Sequence, residues 1–457
     1  MILHQYYLEC LSHASYLVGD EDSAQAVVID PQRDVNGYLD DARAAGITIV
    51  GVINTHVHAD FVAGNIELAT ETGAWIGFGE RAEIDYPIRR LANGDRVRLG
   101  QLDIEVLETP GHTWESISIV VRETPDSAPY AVCTGDALFI GDVGRPDLAS
   151  AADVDTESLA RAQFHSLHKL LTLPDSTRVL PAHGAGSSCG KNLSSELSST
   201  VGEQRRDNYA AQPMSETAFV SLLTVGQPPV PAYFAVDAEL NRRSHKVFDQ
   251  AAPLPELDPE HLSIAARTPG TYVIDTRDPD AFADRHIAGS INIGLDGRFA
   301  ETTGMLVPHH APVVILTVDG RGREAAIRLG RIGFDVVTGH HDLSYGFAPE
   351  LAWLLCIAER VTPTDIQASR DDVTVVDIRS AGERENGAIP GSLHIPLPQL
   401  AARRSELPAD TSLIVYCAGG WRSSVAASYL RRHGNRTVTE LRGGFTAWSA
   451  QTSCVEQ

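Results

Sequence analysis

Cationic side chains are scarce in this 457-residue chain: 37 Lys and Arg stand against 60 Asp and Glu, for a formal net charge of −23. A face that binds nucleic acid or an anionic membrane needs an excess of positive charge, so the balance argues against both partners, though not against a local basic pocket for an anionic substrate. Cysteine is also sparse. The six, at positions 10, 133, 189, 356, 417 and 454, are too scattered to staple a chain of this length, which excludes a disulfide framework and points to a reducing cytoplasm. No apolar run approaches the ~20 residues of a membrane span. The start, Met1-Ile2-Leu3-His4-Gln5-Tyr6-Tyr7, has neither a basic leader nor a continuous apolar stretch, so no secretory signal is read.

What is present is 43% hydrophobic residues, enough for sizeable cores and, at this length, for about three domains. Proline-rich stretches at 227–231 and 253–259 punctuate the chain. The second reads as an interdomain linker, and a further break falls near Arg360-Val361-Thr362-Pro363. Beyond the linker lies an internal repeat. Val273-Ile274-Asp275-Thr276-Arg277 matches Val375-Val376-Asp377-Ile378-Arg379, and Ile287-Ala288-Gly289-Ser290-Ile291 matches Ile389-Pro390-Gly391-Ser392-Leu393, both at an offset of 102 (275 to 377, 289 to 391). One offset for two blocks means a duplicated domain. Each copy reads strand, acidic helix, short strand, apolar strand, loop, helix, which predicts an α/β domain with a parallel sheet. The N-terminal region carries strand-like runs at 26–29, 47–53, 102–107, 116–121 and 130–133, which predicts two mixed sheets with helices outside. The fold class is α/β, in several domains.

The apolar run Val52-Ile53-Asn54-Thr55 ends in His56, with His58 and Asp60 at alternate positions. Thr109-Pro110-Gly111-His112, Thr134-Gly135-Asp136 and Leu180-Pro181-Ala182-His183 follow. Each places a His or Asp directly after a strand-like run, and strand ends can converge on a single metal site. Taken singly these are ordinary buried histidines; as an ordered set they are a candidate centre, without a separation of direct ligands from their neighbours.

The ordered set resembles the metallo-β-lactamase superfamily over residues 1–245, which implies an αββα sandwich there. Most members have a His directly after the Asp; here it is Phe61, whose ring cannot ligate, so a dinuclear centre loses a ligand. Within the superfamily, Gly135-Asp136-Ala137-Leu138-Phe139-Ile140-Gly141-Asp142-Val143-Gly144-Arg145-Pro146-Asp147 is similar to the persulfide dioxygenases. That resemblance implies one Fe(II) per chain held by His56, His112 and Asp136, with positions open for substrate and dioxygen, and with His58, Asp60 and His183 orienting ligands or water. It also implies a low-molecular-weight thiol persulfide as substrate and a homo-oligomer, dimer or tetramer. Arg145 is the candidate grip on the carrier thiol's carboxylate or phosphate; the competing reading is an ion pair with Asp147. After His183 the chain reads Gly184-Ala185-Gly186-Ser187-Ser188-Cys189-Gly190, where glutathione-type dioxygenases carry a bulkier loop containing a tyrosine. The glycines are expected to open the pocket, which admits coenzyme A persulfide as well as glutathione persulfide, and Cys189 is a candidate sulfur acceptor or an inert buried thiol.

Cys417 follows the apolar strand Leu413-Ile414-Val415-Tyr416 and opens Cys417-Ala418-Gly419-Gly420-Trp421-Arg422. Two glycines let the loop curl, and its N–H groups with Arg422 favour an anion at the centre, hence a thiolate able to take up a sulfane sulfur. With Val376-Asp377-Ile378-Arg379, His394-Ile395-Pro396 and Gly443-Gly444-Phe445-Thr446-Ala447-Trp448, this resembles the rhodanese family. The resemblance implies Cys417 and Arg422 as catalytic residues, Gly419, Gly420 and Trp421 as the substrate cradle, and a catalytic rhodanese domain over 362–457. The first copy, 257–357, reads Val318-Asp319-Gly320-Arg321-Gly322-Arg323 at the equivalent place and has no cysteine there, so it is expected to be inactive and to serve as scaffold or interface; Cys356 reads as a helical core residue. The full order resembles bacterial fusions that oxidise a persulfide to sulfite and exchange sulfur between sulfite and thiosulfate. A glyoxalase II-like dinuclear thioesterase and a sulfur carrier or sensor without oxidation chemistry are the rivals.

Overall fold

A computed structural model describes residues 1–148, 155–335, 337–368, 373–408, 411–435 and 437–455; the side chain of Cys454 lies outside the described residues. The chain divides into two compact units, Met1–Gln250 with Gly330–Gly333, and Ala251–Leu329 with Phe334–Gln457. Both sheets of the internal repeat fall in the second unit.

Among the described residues the first unit holds two six-stranded sheets. One runs β1 (Ile2–Leu8), β2 (His13–Asp20), β3 (Gln25–Ile29), β4 (Thr48–Ile53), β5 (Trp75–Gly79), β6 (Arg89–Leu91). The other contains β7 (Arg96–Leu99), β8 (Leu102–Glu108), β9 (Ile117–Arg122), β10 (Ala131–Gly135), β11 (Arg178–Pro181) and β12 (Ser199–Thr200), in spatial order 12-11-10-9-8-7. Alternation along each strand divides the side chains between two faces. Val27, Ile29 and Ile53 of the first sheet meet Ile104, Ile119, Val121 and Leu180 of the second in one buried cluster. The intervening Ala26, Val28 and Val52 face Tyr38 and Ala42 of helix Asn36–Ala45, and Val120, Val132 and Val179 face Leu167 and Leu170 of helix Thr156–Leu170. The result is an αββα sandwich. Each fully buried Val, Ile or Leu contributes roughly 1.5–3 kcal/mol to holding it.

In the second unit, β13 (Tyr272–Asp275), β15 (Ile291–Asn292), β16 (Val313–Thr317) and β17 (Val337–Asp342) form a parallel sheet in order 15-13-16-17, and β14 (His286–Ile287) pairs with β18 (Leu355–Cys356). The second copy places β19 (Arg360–Val361), β20 (Val373–Asp377), β21 (Leu393–His394), β22 (Ser412–Tyr416) and β23 (Val438–Leu441) in a parallel sheet, order 19-23-22-20-21. The sequence repeat is therefore a structural one: β13 beside β16 corresponds to β20 beside β22.

The proline-rich linker lies along the edge of the first copy's sheet, with Leu257 N donating to His340 O at 2.7 Å and His340 N to Pro255 O at 2.9 Å. Cys356 differs from expectation. It sits on the two-residue β18 opposite His286 and is half-buried, because Pro349–Leu354 forms a 3₁₀ turn rather than a continuing helix. No helix among the described residues is long and apolar enough to cross a membrane.

Candidate metal centre and sulfur-transfer loop

Four strand ends meet at one edge of the sandwich. His56 follows β4, His112 follows β8, Asp136 follows β10 and His183 follows β11; with His58 and Asp60 they are at most 5% exposed. The segment around Ser12 pairs with the chain after β11, through Ala14 N to Ala182 O at 2.7 Å and Gly184 N to Ser12 O at 3.0 Å, which fixes His183 between the sheets.

The hydrogen bonds assign the histidine tautomers. Asp30 Oδ1 accepts from Thr55 N at 2.7 Å and from His58 Nε2 at 3.0 Å, and Asp30 Oδ2 accepts from Thr55 Oγ1 at 2.8 Å. Having given its proton to Asp30, Thr55 Oγ1 accepts from His56 Nδ1 at 3.0 Å, so Nε2 of His56 keeps its lone pair. His112 Nδ1 donates to Arg145 O at 2.8 Å and His183 Nδ1 to Ser12 O at 3.2 Å, which leaves their Nε2 atoms bare as well. Asp136 Oδ2 stands 4.0 Å from His56 Nε2 and 3.5 Å from His112 Nε2, while its Oδ1 stands 3.6 Å from His183 Nε2. Neither Asp136 oxygen nor His183 Nε2 has a hydrogen-bond partner. A buried carboxylate left without donors is costly, and burial first of all raises the Asp136 carboxyl to about 6. Lone pairs and an orphaned carboxylate converging in a buried site fit a divalent cation.

The atoms of His56, His112 and Asp136 lie within 4.8 Å of one another, as do those of His58, Asp60 and His183, and those of Asp136, His183 and Cys189. Shared members make these one nest. His58 turns Nε2 to Asp30, and its proton is held, against the effect of burial, by that carboxylate. Phe61 stacks its ring 4.0 Å from that of His13 and 4.4 Å from that of His58, so the side chain after Asp60 fills space with carbon.

Arg145 is placed differently from a substrate grip. It is 1% exposed and gives Nε and Nη2 to Asp147 at 2.7 and 2.5 Å, Nη2 also to Pro228 O and Nη1 to Ser188 O. Its carbonyl holds His112, so it braces the centre. The glycines after His183 do not open a pocket either. A Cβ on Gly184 would stand 2.6 Å from the Tyr7 hydroxyl, and one on Gly190 would stand 2.5 Å from Leu193 and 2.9 Å from Asp142; these glycines admit close neighbours. Cys189 lies within the nest, 2% exposed and beside Asp136, and burial pushes its thiol well up. Asp30 and Tyr7 were not anticipated. Asp30 carries a signal in retrospect: it too directly follows an apolar strand, at φ 50°.

In the second unit, Cys417 directly follows β22 at 2% exposure, and Gly420 N donates to its Sγ at 3.1 Å. Gly420 takes φ 121°, closed to other residues, as it enters helix Trp421–Arg432. The loop is seated from below: Phe445 N donates to Cys417 O at 2.7 Å and Thr446 N to Ala418 O at 3.1 Å. Gly444, at φ 58°, lies so close to both carbonyls that no Cβ fits. Asp377 is fully buried and accepts from Arg379, Arg384 and Tyr416, bracing the floor. Arg422 pairs with Glu383, and the half-buried Trp421 lies against Gly294 of the first copy. In that copy the loop is occupied by its own chain: Gly320 N donates to Asp342 Oδ2 and Asp319 N to Ser344 Oγ, each at 2.7 Å.

Comparison with known proteins agrees with both halves. The model of the metallo-beta-lactamase superfamily matches residues 8–183, and that of the rhodanese-like domain matches 259–346 and 362–451. A hydroxyacylglutathione hydrolase of Rhodospirillum rubrum is 32% identical over 258 residues, 55% of this chain and 91% of that protein. The mitochondrial persulfide dioxygenase of Homo sapiens is 29% identical over 187 residues, 40% of this chain and 68% of that protein. A crystal structure of a metallo-beta-lactamase from Staphylococcus aureus superposes with a TM-score of 0.68 at 30% identity, over 75% of this chain and 98% of that one. The chain belongs to the metallo-β-lactamase superfamily and carries two rhodanese-like domains in tandem behind that fold.

Proposed function

We propose that this enzyme oxidises a low-molecular-weight thiol persulfide to sulfite at a single non-heme iron, and exchanges sulfur between sulfite and thiosulfate at Cys417. The observation that carries the reading is the buried nest of bare Nε2 atoms around the orphaned Asp136 carboxylate, and the likeness to a persulfide dioxygenase supports it. His56, His112 and Asp136 would hold the metal. When bound, ferrous iron supplies a redox-active centre that zinc does not.

The overall change balances as persulfide, dioxygen and water giving thiol, sulfite and two protons, with four electrons passing from the outer sulfur to dioxygen. His183 Nε2 and Asp60 Oδ2, 3.4 Å apart, would hold the water and take up its protons. Phe61 and its neighbours keep bulk solvent out. Cys189, a buried neutral thiol beside Asp136, would line the centre rather than accept sulfur. At the second centre, a Cys417 persulfide hands its outer sulfur to sulfite: one S–S bond forms as another breaks, and the electron pair returns to Cys417. The reverse step charges Cys417 from thiosulfate.

Oxygen uptake on adding glutathione persulfide or coenzyme A persulfide tests this. Asp136→Ala is expected to abolish uptake, and Cys417→Ser to keep uptake while losing thiosulfate formation; equal loss in both would overturn the division of labour. The second reading, a dinuclear thioesterase, is favoured by the His58, Asp60 and His183 cluster and by the likeness to a hydroxyacylglutathione hydrolase. Two zinc ions per purified chain, in place of one iron, would establish it.

A further inference from the structure

Arg422, in the first turn of the helix that follows the Cys417 loop, is already engaged. Its Nη1 donates to Glu383 Oε2 at 2.7 Å and its Nη2 to Glu383 Oε1 at 2.6 Å. This is the end-on, bidentate geometry in which a guanidinium takes an oxyanion. The two side chains are 31% and 34% exposed, so the pair faces solvent and is open to exchange. Glu383 does not depend on Arg422 for its place. Its Oε2 also accepts from Ser380 N and Ser380 Oγ, both at 3.0 Å, as half of a capping box on helix Ala381–Glu385. The arginine, more than anything else, holds the Glu383 carboxyl down to about 2, so it is an anion at any working pH.

We propose that Glu383 is a resident competitor for Arg422: its carboxylate occupies the guanidinium edge that an incoming sulfur oxyanion would take, and so sets how tightly the loop binds thiosulfate or sulfite. The inference rests on the reading of Cys417 as the sulfur-transfer nucleophile. In that step the Cys417 sulfur attacks the outer sulfur of thiosulfate, a new S–S bond forms as the old one breaks, and sulfite departs with the electron pair. The bound oxyanion displaces Glu383 from Arg422, and the freed carboxylate keeps its Ser380 donors, so no buried charge is stranded. Competition by a solvent-facing pair is expected to weaken oxyanion binding by up to about fivefold.

The test is steady-state transfer from thiosulfate to cyanide by the full chain, with protection of Cys417 from iodoacetamide by sulfate as a binding readout independent of turnover. In Glu383→Gln the KM for thiosulfate and the half-protecting sulfate concentration are both expected to fall about fivefold, with kcat changed less than twofold. Glu385→Gln removes an exposed carboxylate from the same helix but leaves the Arg422 pair, and is expected to leave both constants unchanged. Unchanged or raised constants in Glu383→Gln would overturn the proposal, and so would an equal shift in Glu385→Gln. Failure of the underlying reading looks different: wild type would not transfer sulfur, or Cys417→Ser would.

Discussion

Replacing Asp30 by Asn is expected to cripple the metal centre without touching a ligand. Asp30 is 1% exposed and sits at φ 50°, a left-handed position that Asn tolerates as well as Asp, so the backbone survives the change. With Oδ1 retained toward Thr55 N and His58 Nε2, the new Nδ2 group faces Thr55 Oγ1, where Oδ2 now accepts at 2.8 Å. Thr55 Oγ1 must then accept from the amide and turn its own proton toward His56 Nδ1, 3.0 Å away. That forces the His56 proton onto Nε2, the atom that points at Asp136. Disturbing a hydrogen-bond partner of this kind weakens metal binding about 10- to 100-fold, or roughly 1.4–2.7 kcal/mol. Thr55→Val breaks the relay without reversing it and is expected at the low end of that range. The assay is anaerobic titration of metal-free protein with Fe(II), with metal content measured after dialysis and a melting curve to confirm folding. Folded Asp30→Asn that binds iron within twofold of wild type would refute the tautomer argument.

Gly444→Ala is expected to destabilise the second unit by about 2–5 kcal/mol, from a left-handed alanine and the collision of its Cβ with the Cys417 and Ala418 carbonyls. Sulfur transfer should be lost while oxygen uptake and metal content stay at wild-type levels. Burial, then the nearby Arg431, depresses His286 to about 4, and the ring stacks on Phe282 as a neutral group. An unfolded histidine takes its proton near 6.5, so this stabilisation is complete above that pH. It is lost as pH falls through 6.5 toward 4, by about 3 kcal/mol in all. Melting the full chain between pH 4 and 7 should show that dependence, flattened in His286→Gln.

Much of the architecture was legible because local pattern and tertiary role coincide. Runs such as Ala26-Val27-Val28-Ile29 alternate between two buried faces, and a run must end where a polar ligand begins, which is why His56, His112, Asp136 and His183 stood out. The duplicated sheets were visible because a repeat keeps its offset. What stayed hidden depends on partners distant in sequence. Arg145 read either as an anion grip or as an ion pair with its neighbour Asp147; Ser188 and Pro228, which hold it as well, lie 43 and 83 residues away. Gly184 looked like open space until Tyr7 was found across from it. Glu383 lies 39 residues from Arg422, and no periodicity links them. Cys356 sat in an apolar stretch that reads equally as helix or strand, and only its pairing with His286 decides between them.

Asp342 gives the first rhodanese-like copy a meaning beyond its missing thiol. With Gly320 N already bonded to that carboxylate and Asp319 N to Ser344 Oγ, the backbone donors of this loop are spent within its own copy. If the Cys417 loop is the seat of a sulfur oxyanion, as proposed above, the duplicated domain adds no second seat of that kind at the equivalent loop.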